Sequence, residues 1–194
     1  MKVFTESDRY LYPLTPDSVV MDLGAHVGTW SRLICEKYDC HALAFEPIHE
    51  FAERAIHDLA KHPKARVFTL GVGGRTREET WCIKGDMTGA TSTGDKKERV
   101  NIRDIVEVMD EFGIGKVIPR IAVLKINTEG SEYEILERLL DEDLIDYFVN
   151  VQVQPHTCVP HAESRWAAIC ERMKETHRMT FDAPWCWTGW ERIA

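Results

Sequence analysis

The stretch VVMDLGAHVG, which begins at Val19, constrains the fold of this chain more than any other. Its β-branched apolar residues predict a short buried strand that ends around Asp22. Gly24 and Gly28 follow four residues apart, and apolar residues at helical spacing come directly after them. A glycine turn between a buried strand and a helix predicts an α/β fold, in which ligands bind beyond the carboxyl ends of the strands.

The alternation of apolar strand and amphipathic helix repeats along the chain, which predicts a mostly parallel sheet covered by helices on both faces. Two strand patterns at the C-terminal end follow each other without a helix between them, so we expect an antiparallel hairpin there. Residues 1–17 are expected to form an irregular lead-in segment, and residues 18–194 a single domain.

A glycine- and threonine-rich excursion between Gly71 and Val100 interrupts this rhythm. We expect short strands around Trp81 and Val100, with a mobile loop between them. The stretch IRDIVEVMDEF that follows predicts a helix, with Ile102 on its apolar face.

The composition narrows the class of partner and the compartment. A formal net charge of -8 argues against a nucleic-acid partner, because binding a polyanion needs a basic face. No apolar run is long enough to span a bilayer, and the N-terminal residues lack the apolar core of a signal peptide. The six cysteines are scattered without a CxxC pair, so we expect reduced thiols and a cytoplasmic protein.

Glu46 closes the second predicted strand, at the position where an acidic side chain binds the hydroxyls of a ribose. A dinucleotide fingerprint would place glycines at positions 26 and 29, where this chain has His26 and Thr29. These two residues disfavour a nicotinamide oxidoreductase. A nucleoside without phosphates, such as S-adenosylmethionine, does not need that close approach of the backbone.

The stretch KINTEGSE, which begins at Lys125, resembles the K-I-D-x-E-G-x-E signature of the FkbM-type S-adenosylmethionine-dependent methyltransferases. DLGAHVG and AFEP resemble the first two motifs of that family, and VQVQPH resembles its fifth-strand ending. The resemblance covers the chain from about Val19 onward. It implies a Rossmann-like class I methyltransferase fold, with a seven-stranded, mostly parallel sheet, a C-terminal antiparallel hairpin and S-adenosyl-L-methionine as cofactor.

The resemblance also implies a role for particular residues. Glu46 would bind the ribose hydroxyls and Pro47 would shape that turn, while Gly71 and Val72 would lie near the adenine. The residues implied for the methionine moiety and the ribose edge are Asp22, Gly24, Ala25, His26 and Gly28. The residues implied for the fourth and fifth strand ends are Asn127, Glu129, Glu132 and His156, of which Asn127 counts both as cofactor-binding and as catalytic.

Two residues depart from the family pattern, since Asn127 replaces an aspartate and Gln154 replaces a glutamate. An amide is a very poor general base and a weaker ligand for a hard cation than a carboxylate is. We therefore expect no metal at this site and no base at position 127.

His156, Glu129 and Glu132 are the remaining candidates for accepting a proton from the methyl acceptor. His156 is preferred because the ordinary pKa of histidine is about 6.5, although a structural histidine at a strand end is the alternative. His156, Cys158 and His161 also form an H-x-C-x-x-H cluster. It is disfavoured as a metal site because only three ligands lie close and prolines stiffen the segment.

The sequence therefore predicts a methyltransferase that acts on an oxygen of a small hydroxylated molecule, such as a sugar or a secondary metabolite. One alternative is N-methylation of an amide or amine in a small molecule or peptide, and another is a catalytically weak nucleoside-binding module. The expected partner is a small-molecule or peptide acceptor, with neither nucleic acid nor membrane. No motif indicates an oligomeric state.

Overall fold

The computed structural model describes residues 4–83 and 96–193. Its strands are β1 (Val19–Leu23), β2 (His41–Phe45), β3 (Ala65–Phe68), β4 (Gly71–Gly73), β5 (Arg77–Ile83), β6 (Lys96–Asp104), β7 (Ile121–Ile126), β8 (Phe148–Val153), β9 (His177–Ala183) and β10 (Trp187–Arg192). Its α-helices are α1 (Thr29–Tyr38), α2 (His49–Leu59), α3 (Ile105–Glu111), α4 (Glu132–Asp141) and α5 (Ala162–Met173). None of the helices in these ranges is both long and apolar enough to cross a lipid bilayer.

Seven strands form the main sheet, in the order β3-β2-β1-β7-β8-β10-β9. β1 is an interior strand and pairs in parallel with β2 on one side and with β7 on the other. β10 pairs antiparallel with β8 and with β9, so the C-terminal hairpin closes one edge. The predicted Rossmann-like architecture is confirmed, and the strand order reverses at β1, where the crevice of such a sheet binds ligands.

A second sheet of three strands, in the order β4-β6-β5, stands beside the main one. It contains the strands predicted around Trp81 and Val100, while the predicted loop between them falls on residues 84–95, which lie outside the described residues. The helix predicted to include Ile102 was placed too early. Ile102 belongs to β6 and pairs with Gly71 and Arg77, and α3 begins only after Asp104, whose carboxylate accepts a hydrogen bond from the Val106 N–H.

The lead-in segment contains a short 3-10 helix at Glu6–Tyr10 and lies against the main sheet. The Trp30 indole N–H donates to the backbone carbonyl of Arg9. The Tyr12 hydroxyl donates to Gln152 Oε1 of β8 at 2.6 Å. The division of the chain at residue 17 stays a prediction, but these contacts hold the segment onto the sheet.

The C-terminal hairpin uses its tryptophans in two ways. Trp187 and Trp190 are buried, and Trp190 packs into the larger hydrophobic core. Trp185, in the turn between β9 and β10, is 40% exposed. The hairpin is therefore held by two of these rings, and the third faces solvent.

Candidate functional site

A cavity of about 270 Å³ opens at the carboxyl ends of β1, β2 and β7. Its volume lies close to the lower end of the range of about 300–1,000 Å³ for small-molecule sites. Among the predicted site residues, those that line it are Gly24, His26, Glu46, Pro47, Gly71, Val72, Asn127 and Glu129. The lining residues that the sequence did not indicate are Ile48, Phe51, Trp81, Thr128 and Ser131.

The turn after β1 needs glycine because of the neighbouring strand. Gly24 has a φ of +74°, and a Cβ built on it would lie 1.8 Å from the backbone oxygen of Asn127. No side chain fits there, so the turn passes directly over the end of β7. Ala25 and Gly28, also predicted to bind cofactor, do not line the cavity. Gly28 instead lets α1 approach α2, since a Cβ added to it would lie 3.1 Å from the Ala55 Cβ.

A buried ion pair supports this turn from behind. Lys125 Nζ lies 2.8 Å from Asp22 Oδ1 and donates a hydrogen bond to the Gly24 carbonyl at 2.7 Å. The Lys125 and Asp22 side chains are 4% and 0% exposed, and Ser31 donates to the second carboxylate oxygen. Asp22 does not line the cavity, so its predicted contact with the methionine moiety stays a prediction, while its contacts hold the turn.

Glu46 follows β2 and is held by backbone groups. Its Oε2 accepts the His26 N–H at 2.8 Å and its Oε1 accepts the Ile48 N–H at 2.9 Å. Burial raises the pKa of Glu46 to about 7, although these two hydrogen bonds act in the opposite direction. Each carboxylate oxygen has two lone pairs, so each can still accept a hydroxyl proton from a diol.

The cavity has an apolar wall beyond Glu46. Ile48, Phe51 and Trp81 belong to one buried cluster, and Val72 completes the wall. The residues of this wall that sequence reasoning missed are Ile48, Phe51 and Trp81, and Trp81 comes from the second sheet. A signal for Trp81 was present, because it is a large apolar residue in a strand that begins with three charged residues.

The lining residues that follow β7 form a polar wall. Asn127 Oδ1 is buried and has no hydrogen-bond partner among the described residues. Glu129 has a φ of +53°, which is uncommon for a residue with a side chain, and its carboxyl group is partly exposed. This wall therefore offers an amide and a carboxylate to a bound molecule.

His156 lies behind Glu129 and does not line the cavity. Its Nδ1 lies 3.0 Å from Glu132 Oε1, and its Nε2 lies 3.5 Å from Glu129 Oε1. Burial alone would lower the pKa of His156, but hydrogen bonds to Glu129 and Glu132, with their charges, raise it to about 9. The ordinary pKa that was expected from the sequence is therefore wrong, because two carboxylates stabilise the imidazolium.

Glu132 joins the loops that follow β7 and β8. Its buried carboxylate accepts hydrogen bonds from Thr128 Oγ1, the Gly130 N–H, the His156 N–H and the His156 ring. With all these donors Glu132 holds the loops in place, and it does not line the cavity. Its catalytic role stays a prediction.

Within the two described ranges, residues 4–83 and 96–193, no group of three or more His, Cys, Asp or Glu side chains is arranged so that it could hold a metal ion. Cys158 Sγ contacts the Glu129 carbonyl at 3.8 Å, and His161 precedes α5 with a φ of +60°. The absence of a metal from the working enzyme stays a prediction.

Three solved structures share this fold. A Clostridium thermocellum protein described as an rRNA methylase has a TM-score of 0.57 at 8% identity, covering 100% of this chain and 99% of that one. An rRNA methylase from Streptococcus thermophilus has a TM-score of 0.52 at 10% identity, covering 93% and 90%. Methanococcus jannaschii fibrillarin, a pre-rRNA processing protein, has a TM-score of 0.52 at 8% identity, covering 94% and 69%.

Sequence comparison identifies the family. AMB antimetabolite synthetase AmbE from Pseudomonas aeruginosa is 28% identical over 95 residues, which are 48% of this chain and 4% of AmbE. The chain thus spans 4% of the length of that relative. The profile of the methyltransferase FkbM domain matches residues 22–178. The chain therefore belongs to the FkbM family of methyltransferases, and its cofactor is S-adenosylmethionine.

Proposed function

We propose that this enzyme transfers the methyl group of S-adenosylmethionine to an oxygen of a small hydroxylated molecule. The observation that carries the proposal is that one cavity combines the Glu46 carboxylate with an apolar wall and a polar wall. A nucleoside with a planar base at one end and a charged sulfonium at the other matches that arrangement.

In the proposed orientation, the ribose hydroxyls donate to the Glu46 carboxylate, and the adenine lies against Ile48, Phe51, Val72 and Trp81. The methionine moiety extends past the Gly24 turn. Asn127 and Glu129 would then line the part of the cavity where the acceptor meets the methyl group. Positioning of two reactants in line can supply about 7–11 kcal/mol of the barrier.

The acceptor hydroxyl loses its proton as its oxygen attacks the methyl carbon and the carbon–sulfur bond breaks. S-adenosylhomocysteine leaves as a neutral thioether. We assign the proton to Glu129, because Glu129 lines the cavity and His156 carries its own proton below a pH of about 9. His156 then positions Glu129, which differs from the role expected from the sequence.

N-methylation of an amine or amide is the second candidate, and Asn127 favours it. An amide at this position is a very poor general base, which suits a nucleophile that needs no base before it attacks. A neutral amine attacks before it loses its proton, so it does not need a carboxylate at position 127.

A small acceptor is favoured over RNA by charge. The net charge of -8 repels a phosphate backbone, and the polar wall adds the Glu129 carboxylate. The likeness to RNA methylases at 8–10% identity concerns the fold.

Two measurements test the proposal. In thermal unfolding, S-adenosylhomocysteine at a hundred times its Kd should stabilise the protein by about 2.7 kcal/mol, and NAD should not. Radiolabelled methyl transfer should then be assayed with polyols and sugars, with amines and peptide amides, and with ribosomal RNA.

Radiolabel on a sugar or polyol supports O-methylation if it resists treatment with base, because a methyl ether is stable to base. Label on the amines supports the second candidate, and label on RNA overturns both. Binding of S-adenosylhomocysteine with no transfer to any panel would favour the third candidate, a catalytically weak binding module.

A further inference from the structure

Trp81 is a large aromatic residue in the cavity that no motif of the chain assigns to the cofactor. It lies in β5 of the second sheet, is 7% exposed and lines the same cavity as Glu46. Its neighbours in the buried cluster include Ile48 and Phe51. The second sheet therefore supplies one ring to a site that the main sheet otherwise builds.

The edge of the Trp81 ring is already occupied. Its indole N–H donates to Glu79 Oε2 at 2.6 Å. Arg77 donates to the other oxygen of Glu79 and, at 2.6 Å, to Glu134 Oε1 of α4. Because indole has a single N–H donor, the ring can offer a ligand only its apolar surface.

The second sheet is also attached on the side of α2. Glu98 pairs with Trp81 across β5 and β6, and its carboxylate accepts the His49 N–H at the start of α2. Lys96 of the same strand contacts Glu50 at 2.8 Å. Trp81 is thus carried by a strand pair that is fixed at both α2 and α4, which keeps its ring in one place.

We propose that Trp81 packs against the adenine base of the cofactor, and that Glu79 and Arg77 are positioning residues for its ring. This inference rests on the proposed orientation of the cofactor, in which the base lies beyond Glu46. Since the ring makes no hydrogen bond to the base, it recognises a flat π-system rather than the pattern of donors on the base edge. In nucleic-acid binding, stacking of a base on an aromatic ring likewise accepts any base, because every base has a π-face.

Calorimetric titration with two ligands tests the role of Trp81. S-adenosylhomocysteine contains the adenine, and S-ribosylhomocysteine lacks it but keeps the ribose and the amino acid. Trp81→Ala should weaken S-adenosylhomocysteine about ten- to a hundredfold and leave S-ribosylhomocysteine unchanged. Trp81→Phe should restore most of the affinity, and Trp185→Ala, a change at the exposed hairpin turn, serves as the matched control.

The inference is overturned if Trp81→Ala binds S-adenosylhomocysteine as the wild type does, or loses both ligands equally. If the alanine variant does not fold, Trp81→Leu takes its place, because it keeps apolar volume and removes the aromatic ring. Weaker binding of S-adenosylhomocysteine alone upholds the inference, and an equal loss of both ligands or no loss overturns it. Failure of the wild type to bind S-adenosylhomocysteine, or full binding by Glu46→Ala, would instead reject the proposed orientation itself.

The positioning role has a separate readout. Arg77→Met keeps the Trp81 side chain itself but removes the guanidinium that holds Glu79 and, through Glu79, the position of the ring. It should raise the KM for S-adenosylmethionine, leave kcat at saturating cofactor unchanged, and leave S-ribosylhomocysteine affinity unchanged. A fall in kcat with no change in KM would contradict the assignment.

Discussion

Lys125 Nζ lies 2.8 Å from Asp22 Oδ1, so one buried ion pair joins the ends of the two central strands β1 and β7. The same ammonium donates to the Gly24 carbonyl, which is part of the cavity wall. Lys125 does not line the cavity itself, but it holds in place the Gly24 turn, which does.

We expect Lys125→Met to lower the free energy of unfolding by about 3–5 kcal/mol, because it leaves Asp22 as an uncompensated buried charge. The double variant Asp22→Asn/Lys125→Met should recover a large part of that loss. Urea unfolding measures both. Lys64→Met removes an exposed ion pair with Asp39 and should cost less than about 1 kcal/mol. Equal losses at Lys125 and Lys64 would contradict the importance of the buried pair.

Glu46→Ala should weaken S-adenosylhomocysteine at least about tenfold, since hydrogen bonds to a charged group contribute about 1.5–3 kcal/mol each. Glu53→Ala, an exposed change on α2, is the control.

The affinity of the wild type for S-adenosylhomocysteine should also depend on pH. The pKa of Glu46 is raised to about 7, so below pH 7 the group carries a proton and accepts ribose hydroxyls less well. Affinity should therefore fall from pH 8 to pH 6 in the wild type and stay constant in Glu46→Ala; a constant wild-type affinity would count against the ribose assignment.

Glu129→Gln should lower kcat by about 10²–10⁴-fold and leave S-adenosylhomocysteine affinity unchanged, because it removes the proposed proton acceptor. His156→Ala should have a smaller effect on kcat, as expected for a positioning residue. With the pKa of His156 at about 9, the wild-type rate should fall above pH 9, where the imidazolium loses its proton. If the rate instead rises through pH 9, and His156→Ala lowers kcat more than Glu129→Gln does, then His156 is the proton acceptor.

Methyl transfer should continue after treatment with EDTA, because an amide stands at position 127 and another at position 154. The measurement compares initial rates before and after dialysis against the chelator. Activity that disappears and returns with Mg²⁺ would show that Glu129, with groups from the acceptor, binds a metal after all.

The sequence located the main sheet and the strand ends because apolar periodicity marks where each strand stops. Gly24, Glu46 and Asn127 each follow directly after a parallel strand, so they meet at one edge. Ile102 was misplaced because Ile102, Ile105, Val106 and Met109 have helical spacing, although the first of them belongs to β6. Where a strand runs directly into a helix, the spacing of apolar residues alone does not show at which residue the strand ends and the helix begins.

The contacts that no periodicity reveals are those between elements distant in sequence. Trp81 lines the cavity because β5 pairs with β6. No local sequence pattern shows which face of that strand pair packs against the main sheet. The pKa of His156 depends likewise on Glu129, in the loop after β7, and on Glu132, at the start of α4. Residue type predicted the candidates, and only the packing of these groups around His156 raises its pKa.

The hydrogen bond from Tyr12 to Gln152 joins residues 140 positions apart, and this separation has a consequence for folding. Closing so long a loop costs conformational entropy before the contact adds any stability. During synthesis the segment around Tyr12 leaves the ribosome well before β8 exists. Its contacts with Trp30 and Tyr38 of α1 can form early, whereas its contact with Gln152 can form only after β8 has been made.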